Sequence, residues 1–347
     1  MRPSPRSYLV TGGAGFIGST LVRRLLEREP GARVVVADSL TYAGCRENLA
    51  DLLDDPTGRV ELVVADVRNR DAMRAVVART SPRIVFHLAA ETHVDRSIED
   101  ARPFVDTNVL GTLSVLEAVR EVTTQGHPRI VHVSTDEVLG PAEPGVFLDE
   151  GAPTRPSSPY AASKAGAEAL VLAFAVTHGL DAVIARPTNH FGPRQLAEKL
   201  VPLVICRALL GLSLPVYGDG LHRRDWLFVD DGCDALIALG ERGRPGALYH
   251  LASGAERTTL EMVGAVCDAL DELAPAAAPR RGLVAHVDDR PGHDRRYGVD
   301  ASRVRAELGW SARTSFADAM RRTVASYLEP RELERAKAHL ERRGRLR

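Results

Sequence analysis

Along the first half of the chain, short apolar runs alternate with longer stretches whose apolar positions recur at helical spacing. The short runs are Tyr8–Thr11, Arg33–Ala37, Val60–Ala65, Arg83–Leu88 and Arg129–Ser134. The helical pattern covers Phe16–Glu29, Asp71–Arg79, Phe104–Glu121 and Tyr160–His178. Runs that are apolar throughout have no solvated side, which predicts a parallel sheet covered by helices on both faces. Right-handed crossovers then give an α/β, doubly wound, Rossmann-type fold. After about Pro187 the rhythm breaks, and prolines and glycines punctuate short strands (Leu214–Tyr217, Trp226–Val229) and isolated helices (Asp231–Leu239, Thr259–Leu273). A sequence of 347 residues is long for one core. The expected division is therefore 1–187 for the Rossmann-type domain and 188–347 for a smaller, mixed α/β lobe, with some segments returning to the first domain. Leu273–Arg281 reads as a surface loop, and the charged tail Pro330–Arg347 as a helix with a solvated face rather than a binding arm.

Composition narrows the partners. Lys plus Arg (45) nearly balances Asp plus Glu (46), so nothing calls for nucleic acid or an anionic membrane. No run approaches the roughly 20 apolar residues of a membrane span, and the polar start lacks a signal peptide's apolar stretch. Cys45, Cys206, Cys233 and Cys267 form no CxxC pair and fit no zinc spacing. The expectation is a soluble, cytoplasmic protein with reduced thiols and no evident metal ligand set.

Thr11-Gly12-Gly13-Ala14-Gly15-Phe16-Ile17-Gly18 follows the first run and opens the first helix. Glycines there let the backbone turn tightly and approach a pyrophosphate, which the free N–H groups of the helix start can bind. Asp38 ends the second run, where a carboxylate accepts from the adenosine ribose hydroxyls. The same charge would repel a 2′-phosphate, so NAD is expected rather than NADP. Asp66-Val67 stands where such folds bind adenine, although Asp66 could equally cap a helix. Leu88-Ala89-Ala90 offers small residues at the end of the fourth strand.

Tyr160 and Lys164 lie at i and i+4, on one face of a helix. An ammonium beside a phenol lowers the phenol's pKa and makes it a base for a sugar hydroxyl. Ser134-Thr135-Asp136-Glu137 follows the fifth strand at the carboxyl end of the sheet, where ligands bind. Thr135 can bond the hydroxyl that Tyr160 attacks. Two neighbouring carboxyl groups can divide into one acid and one base, which suggests elimination of water. The alternative is ordinary turn chemistry.

With these motifs in hand, the chain resembles the dTDP-glucose 4,6-dehydratases of the extended short-chain dehydrogenase/reductase superfamily, from about Tyr8 to Trp310. Further matching stretches are Asp38–Gly44, Leu88–Ser97, Thr107-Asn108, Glu198–Pro202, Pro215–Gly218, Arg224–Trp226 and Asp289–Tyr297. The resemblance implies oxidation at C4, loss of water across C5 and C6, and return of hydride to C6, with NAD bound throughout. Tyr160 would be the base at O4, helped by Thr135 and Lys164, with Asp136 the acid and Glu137 the base of elimination. It places NAD against Gly12, Gly15, Phe16, Ile17, Gly18, Asp38, Ser39, Leu40, Thr41, Asp66, Val67, Leu88, Ala89, Ala90, Thr107, Tyr160, Lys164 and His190. It places the nucleotide sugar against Thr92, His93, Thr135, Asp136, Glu137, Asn189, Lys199, Leu200, Pro215, Val216, Tyr217, Arg224, Arg290, His293, Asp294 and Tyr297. A homodimer through the Phe104–Glu121 and Tyr160–His178 helices follows from the resemblance alone. The chain departs from the family at Cys45, Leu139, His190 and Ala255. Competing readings are a dehydratase or epimerase on a UDP-, CDP- or GDP-sugar, a uronate decarboxylase, or a catalytically silent NAD-binding regulator or scaffold.

Overall fold

The computed structural model describes residues 6–121, 128–289, 292–342 and 344. In chain order the strands are β1 (Ser7–Thr11), β2 (Arg33–Asp38), β3 (Val60–Val64), β4 (Ile84–His87), β5 (Arg129–Val133) and β6 (Ala182–Pro187). They continue as β7 (Asn189–Phe191), β8 (Leu214–Tyr217), β9 (Arg223–Phe228), β10 (Leu248–Leu251), β11 (Glu256–Thr258) and β12 (Val284–Val287). Seven of them form one all-parallel sheet in the order β10-β6-β5-β4-β1-β2-β3. Side chains alternate across it as the pleat requires. Tyr8 and Val10 join the core on one face, and Leu9 joins the core on the other. The strand order reverses between β1 and β4, and the crevice beyond the carboxyl ends at such a switch point is where doubly wound sheets bind ligands.

The second half of the chain does not stay apart. β10 pairs with β6 (Leu248↔Ile184), completing the large sheet from beyond residue 187. The Val229–Arg242 helix packs on the Phe16–Arg28 helix, where Arg24 meets Asp234 at 2.8 Å. Two small sheets, β11-β9-β7 and β12-β8, make up the lobe beside the switch point.

Three local features differ from the periodicity. The expected Phe104–Glu121 helix begins with a π-helical stretch, Val105–Leu110, before the Gly111–Glu121 α-helix. The wider turn serves buried Asn108, which accepts from Glu91 N (2.8 Å) and donates to Glu91 O (3.0 Å) and Ser163 Oγ (2.8 Å). Asp66 caps no helix; Asn69 caps the Arg70–Thr80 helix by accepting from Ala72 N. The tail helix, Pro330–Arg342, is not simply a solvated face, because it buries Ala336, His339 and Leu340 and packs on the Leu200–Leu209 helix. Charge density hid an apolar stripe that tertiary packing uses.

The Pro159–His178 helix is locked to β6 by a two-pronged ion pair. Arg186 Nε and Nη2 donate to Glu168 Oε1 and Oε2 at 2.9 and 2.7 Å, and both side chains are buried. Removing one partner strands a buried charge, which costs about 3–5 kcal/mol. Arg186→Ala is thus expected to lower unfolding free energy by that amount in urea titrations at neutral pH. A loss below about 1 kcal/mol would contradict the buried-pair account.

Candidate active site

The glycine loop leaves β1 and enters the Phe16–Arg28 helix with no side chain in the way. Gly12 holds φ +69°, and a Cβ there would lie 2.7 Å from Ala89 N; a Cβ on Gly18 would lie 2.3 Å from Gly12 O. Any larger residue at either position would push the loop off the strand ends. Asp38 is buried at the end of β2, its two oxygens accepting from Ala14 N (2.9 Å) and Leu40 N (2.8 Å). Burial raises its pKa, and the two backbone N–H bonds oppose that rise. The carboxylate is held rigidly beside the loop, with lone pairs left for ribose hydroxyls.

Loop, Asp38 and strand ends line a cavity of about 370 Å³, within the usual range of small-molecule sites. Gly12, Gly15, Phe16, Ile17, Gly18, Asp38, Ser39 and Thr41 line it on the β1–β2 side. Asp66, Val67, Leu88, Ala90, Thr107 and His190 continue the wall. Leu40 and Ala89 stand behind it: Leu40 N supports Asp38, and Ala89 N donates to Thr11 Oγ1 (3.3 Å). The cradle of glycines, the exposed first turn of a helix and the fixed carboxylate together fit a dinucleotide such as NAD.

The reacting groups meet at the other end of the cavity. Thr135, Asp136, Glu137, Tyr160 and Lys164 all line it, with Thr92, Asn189 and Lys199 opposite. Thr135 Oγ1 donates to Asp136 Oδ1 (3.3 Å) and accepts from Glu137 N (3.3 Å), starting the short turn Asp136–Leu139. It also shares a hydrogen bond with the Tyr160 phenol. Lys199 Nζ donates to Thr92 O at 3.2 Å.

The electrostatics act strongly on the first of the two carboxyl groups. Asp136 is buried, and burial with the neighbouring Glu137 charge pushes its pKa up to about 8, against the pull of Arg224. At neutral pH it holds its proton and is an acid. One expectation is corrected here. Lys164 Nζ donates to Val133 O at 2.6 Å, and burial brings its pKa down to about 8. The Tyr160 phenol is held well above its ordinary range, first by burial and then by the Glu137 charge. Its strongest charged neighbours are carboxylates rather than the ammonium, so helical i, i+4 spacing alone does not lower this phenol.

The remaining substrate candidates form a second cluster in the lobe. Arg224 lies over the Tyr297 ring (4.2 Å to its centroid) and donates to Asp294 O (2.8 Å). Tyr297 donates to Asp294 Oδ2 (2.9 Å), and Tyr217 meets His293 edge-on at 6.1 Å. Arg224 acts on Asp136, and Glu137 on Tyr297, so this cluster adjoins the carboxyl pair. Pro215 and Val216 belong to β8, with Val216 wholly buried. Leu200 opens its helix, and His93 sits 3.9 Å from Glu198. Arg290 lies outside the described residues. His190 is fixed in the cavity wall, its Nδ1 donating to Thr188 O (3.0 Å) and its Nε2 lying against Gly232.

Several wall residues escaped the sequence reading as site residues. Tyr42, Glu91, Gln195 and Glu198 line the cavity. Glu198 is gripped by His93 and, from the tail helix, by His339 at 3.6 Å. Tyr42, Glu91 and Glu198 lie inside the matching stretches, which was the available signal. Buried Asp225 accepts from Thr188 Oγ1 and from the backbone N–H groups of Ser253, Gly254 and Ala255, knitting β6, β9 and the turn after β10.

The profile of the GDP-mannose 4,6 dehydratase family matches residues 9–323. The dTDP-glucose 4,6-dehydratase of Neisseria gonorrhoeae is 44% identical over 335 residues, covering 93% of this chain and 96% of its own. That of Xanthomonas campestris is 45% identical over 333 residues, covering 93% of each. DesIV, a dTDP-glucose 4,6-dehydratase from Streptomyces venezuelae solved with NAD bound, superposes with a TM-score of 0.86 at 43% identity, over 93% of this chain and 97% of its own.

Proposed function

The chain belongs to the dTDP-glucose 4,6-dehydratase family, and from that premise we propose that it converts dTDP-glucose to the 4-keto-6-deoxy sugar nucleotide. The observation that carries this reading is the carboxyl pair at the end of β5. Asp136, raised to about 8, is a proton donor, and Glu137 stands one residue away on the same cavity wall. Oxidation or epimerisation at C4 needs neither group; elimination needs both.

The glycine loop and Asp38 would hold NAD, which would supply the hydride acceptor and donor for the sugar. The protein's own residues do the rest. Tyr160, bonded to Thr135, takes the proton from the sugar O4 in its phenolate form, after its own proton has passed to solvent. Burial and Glu137 make that form scarce at neutral pH. Lys164 anchors the floor of the site through Val133 O. The 4-ketone then acidifies C5–H. Glu137 removes that proton, Asp136 gives its own to the departing C6 hydroxyl, and the proton held by Glu137 goes back to C5 as hydride arrives at C6. Arg224, Tyr217, His293 and Tyr297 are assigned to the nucleotide diphosphate, for which a guanidinium is a forked donor. The decisive experiment is mass spectrometry of products from dTDP-, UDP-, CDP- and GDP-glucose. Loss of one water from dTDP-glucose is the expected result; a 4-epimer, or preference for another base, would replace this reading.

Asp38 makes NAD the cofactor in this account. Hydrogen bonds to a charged group contribute roughly 1.5–3 kcal/mol, so Asp38→Ala should weaken NAD binding by about 10- to 100-fold in calorimetric titration. Tighter binding of NADP than NAD by the native protein would reverse the assignment.

We assign a homodimer through the helices that flank β4 and β5. Val105 (46%), Leu110 (50%) and Val176 (85%) leave apolar side chains exposed there. A cytoplasmic setting is supported by four free cysteines, three of them buried.

A further inference from the structure

The Pro330–Arg342 helix buries Ala336 and Leu340, four residues apart, and packs on the Leu200–Leu209 helix. The same spacing puts Arg335 and His339 on one neighbouring face, about 6 Å apart along the axis. The helix lies past Trp310, where the family resemblance ends, and the reaction derived above uses none of it. Both side chains nevertheless reach groups that form or support the cavity.

His339 reaches the sugar end. It is buried, and its Nε2 stands 3.6 Å from Glu198 Oε2. Glu198 lines the cavity beside Lys199 with its side chain 3% exposed. Burial opposes its ionisation, but His339, His93 and Lys199 outweigh burial and hold its pKa below the ordinary carboxylate value. The contact is longer than a hydrogen bond, so it is electrostatic. The ring atom facing Glu198 is itself buried without a hydrogen-bond partner. A buried nitrogen turned to a buried carboxylate has that carboxylate to hold.

Arg335 reaches the cofactor end. Its Nη1 donates to Asn48 Oδ1 (2.7 Å), and Asn48 Nδ2 donates to Ala14 O (2.8 Å) in the glycine loop. Asn48 is buried, and Ala14 N donates in turn to Asp38 Oδ2 at 2.9 Å. One side chain therefore links the tail to the loop backbone.

We propose that the tail helix belongs to the active site: His339 positions Glu198 in the sugar wall, and Arg335, through Asn48, positions the glycine loop for NAD. Neither residue touches the reacting atoms. The sugar half rests on the dehydratase reading above, and the NAD half does not. A helix that only covered apolar surface would need Ala336 and Leu340 alone.

The test uses the full chain, with folding checked by circular dichroism. His339→Asn keeps a donor but is too short to reach Glu198. KM for dTDP-glucose should rise about 10-fold, the lower end for contact with a charged group. Meanwhile kcat should stay within about twofold, and NAD affinity by calorimetry should not change. His339→Gln, whose amide reaches as far as the imidazole, should restore KM. In a Glu198→Gln background, His339→Asn should add less than about twofold. Arg335→Leu should do the reverse, weakening NAD by about 5- to 10-fold and leaving KM for the sugar unchanged at saturating NAD. His339→Leu keeps the sugar half open if the Asn variant does not fold. The NAD half needs no turnover, so a native chain that leaves dTDP-glucose unchanged overturns the proposed function and not this inference. Parallel losses of both ligands that track Tm, an undiminished effect of His339→Asn beside Glu198→Gln, or native affinities in folded variants overturn the inference itself.

Discussion

Glu137→Gln is expected to leave sugar binding and oxidation at C4 intact and to stall loss of water by about 10²–10⁴-fold, the usual worth of a general base. The amide keeps the size and removes the lone pair that accepts the C5 proton. In a single turnover, reduced NAD and the 4-keto hexose should accumulate, and exchange of the C5 hydrogen with deuterated solvent should slow by the same factor. The structure adds a second signature. The Glu137 charge raises the pKa of both Asp136 and Tyr160. Its removal should therefore shift the pH dependence of the oxidation step towards lower pH. Asp136→Asn should behave differently, because the base remains: C5 exchange continues while loss of the C6 hydroxyl slows. In the native enzyme that acid step should weaken as pH rises through about 8, where Asp136 gives up its proton. The Glu137 charge acts on Asp136, so both variants need full pH profiles. Wild-type rates of C5 exchange and product formation in Glu137→Gln would return the pair to turn chemistry.

Tyr160→Phe should slow the first oxidation by about 10²–10⁴-fold, again the scale of a positioned base. The substitution is close to a clean deletion of one hydroxyl. The ring is buried and meets Phe104 edge-on at 6.4 Å, a contact that phenylalanine retains. The phenol's partner, Thr135, keeps its bond to Asp136. Stopped-flow absorbance of reduced NAD in a single turnover measures the step directly. An unchanged rate, with the fold intact by circular dichroism, would remove Tyr160 from the chemistry. The proton on the native phenol is held tightly by burial and by Glu137, so the oxidation rate should rise with pH over the accessible range.

The features legible in the sequence are those written in short range. Apolar runs and helical periods predicted five strands of the large parallel sheet, because a run that is apolar throughout has no solvated side. The glycine loop, Asp38, the Tyr160–Lys164 spacing and the Thr135–Glu137 run could be named because each is contiguous or one helical turn long. All of them do line one cavity. What the tertiary structure decided lies across long separations. β10 returns to the large sheet, and His339 crosses from the tail to Glu198; no local pattern reports either partner. The π-helical stretch at Val105–Leu110 follows from the buried needs of Glu91 and Ser163, far away in sequence. Above all, proton affinities were set by surroundings. A helical Tyr–Lys spacing suggested an acidic phenol, but burial and Glu137 hold its proton, while the same burial gives Asp136 the proton an acid needs. Residue identity specifies which groups can titrate; only packing determines how much water and which charges each one sees.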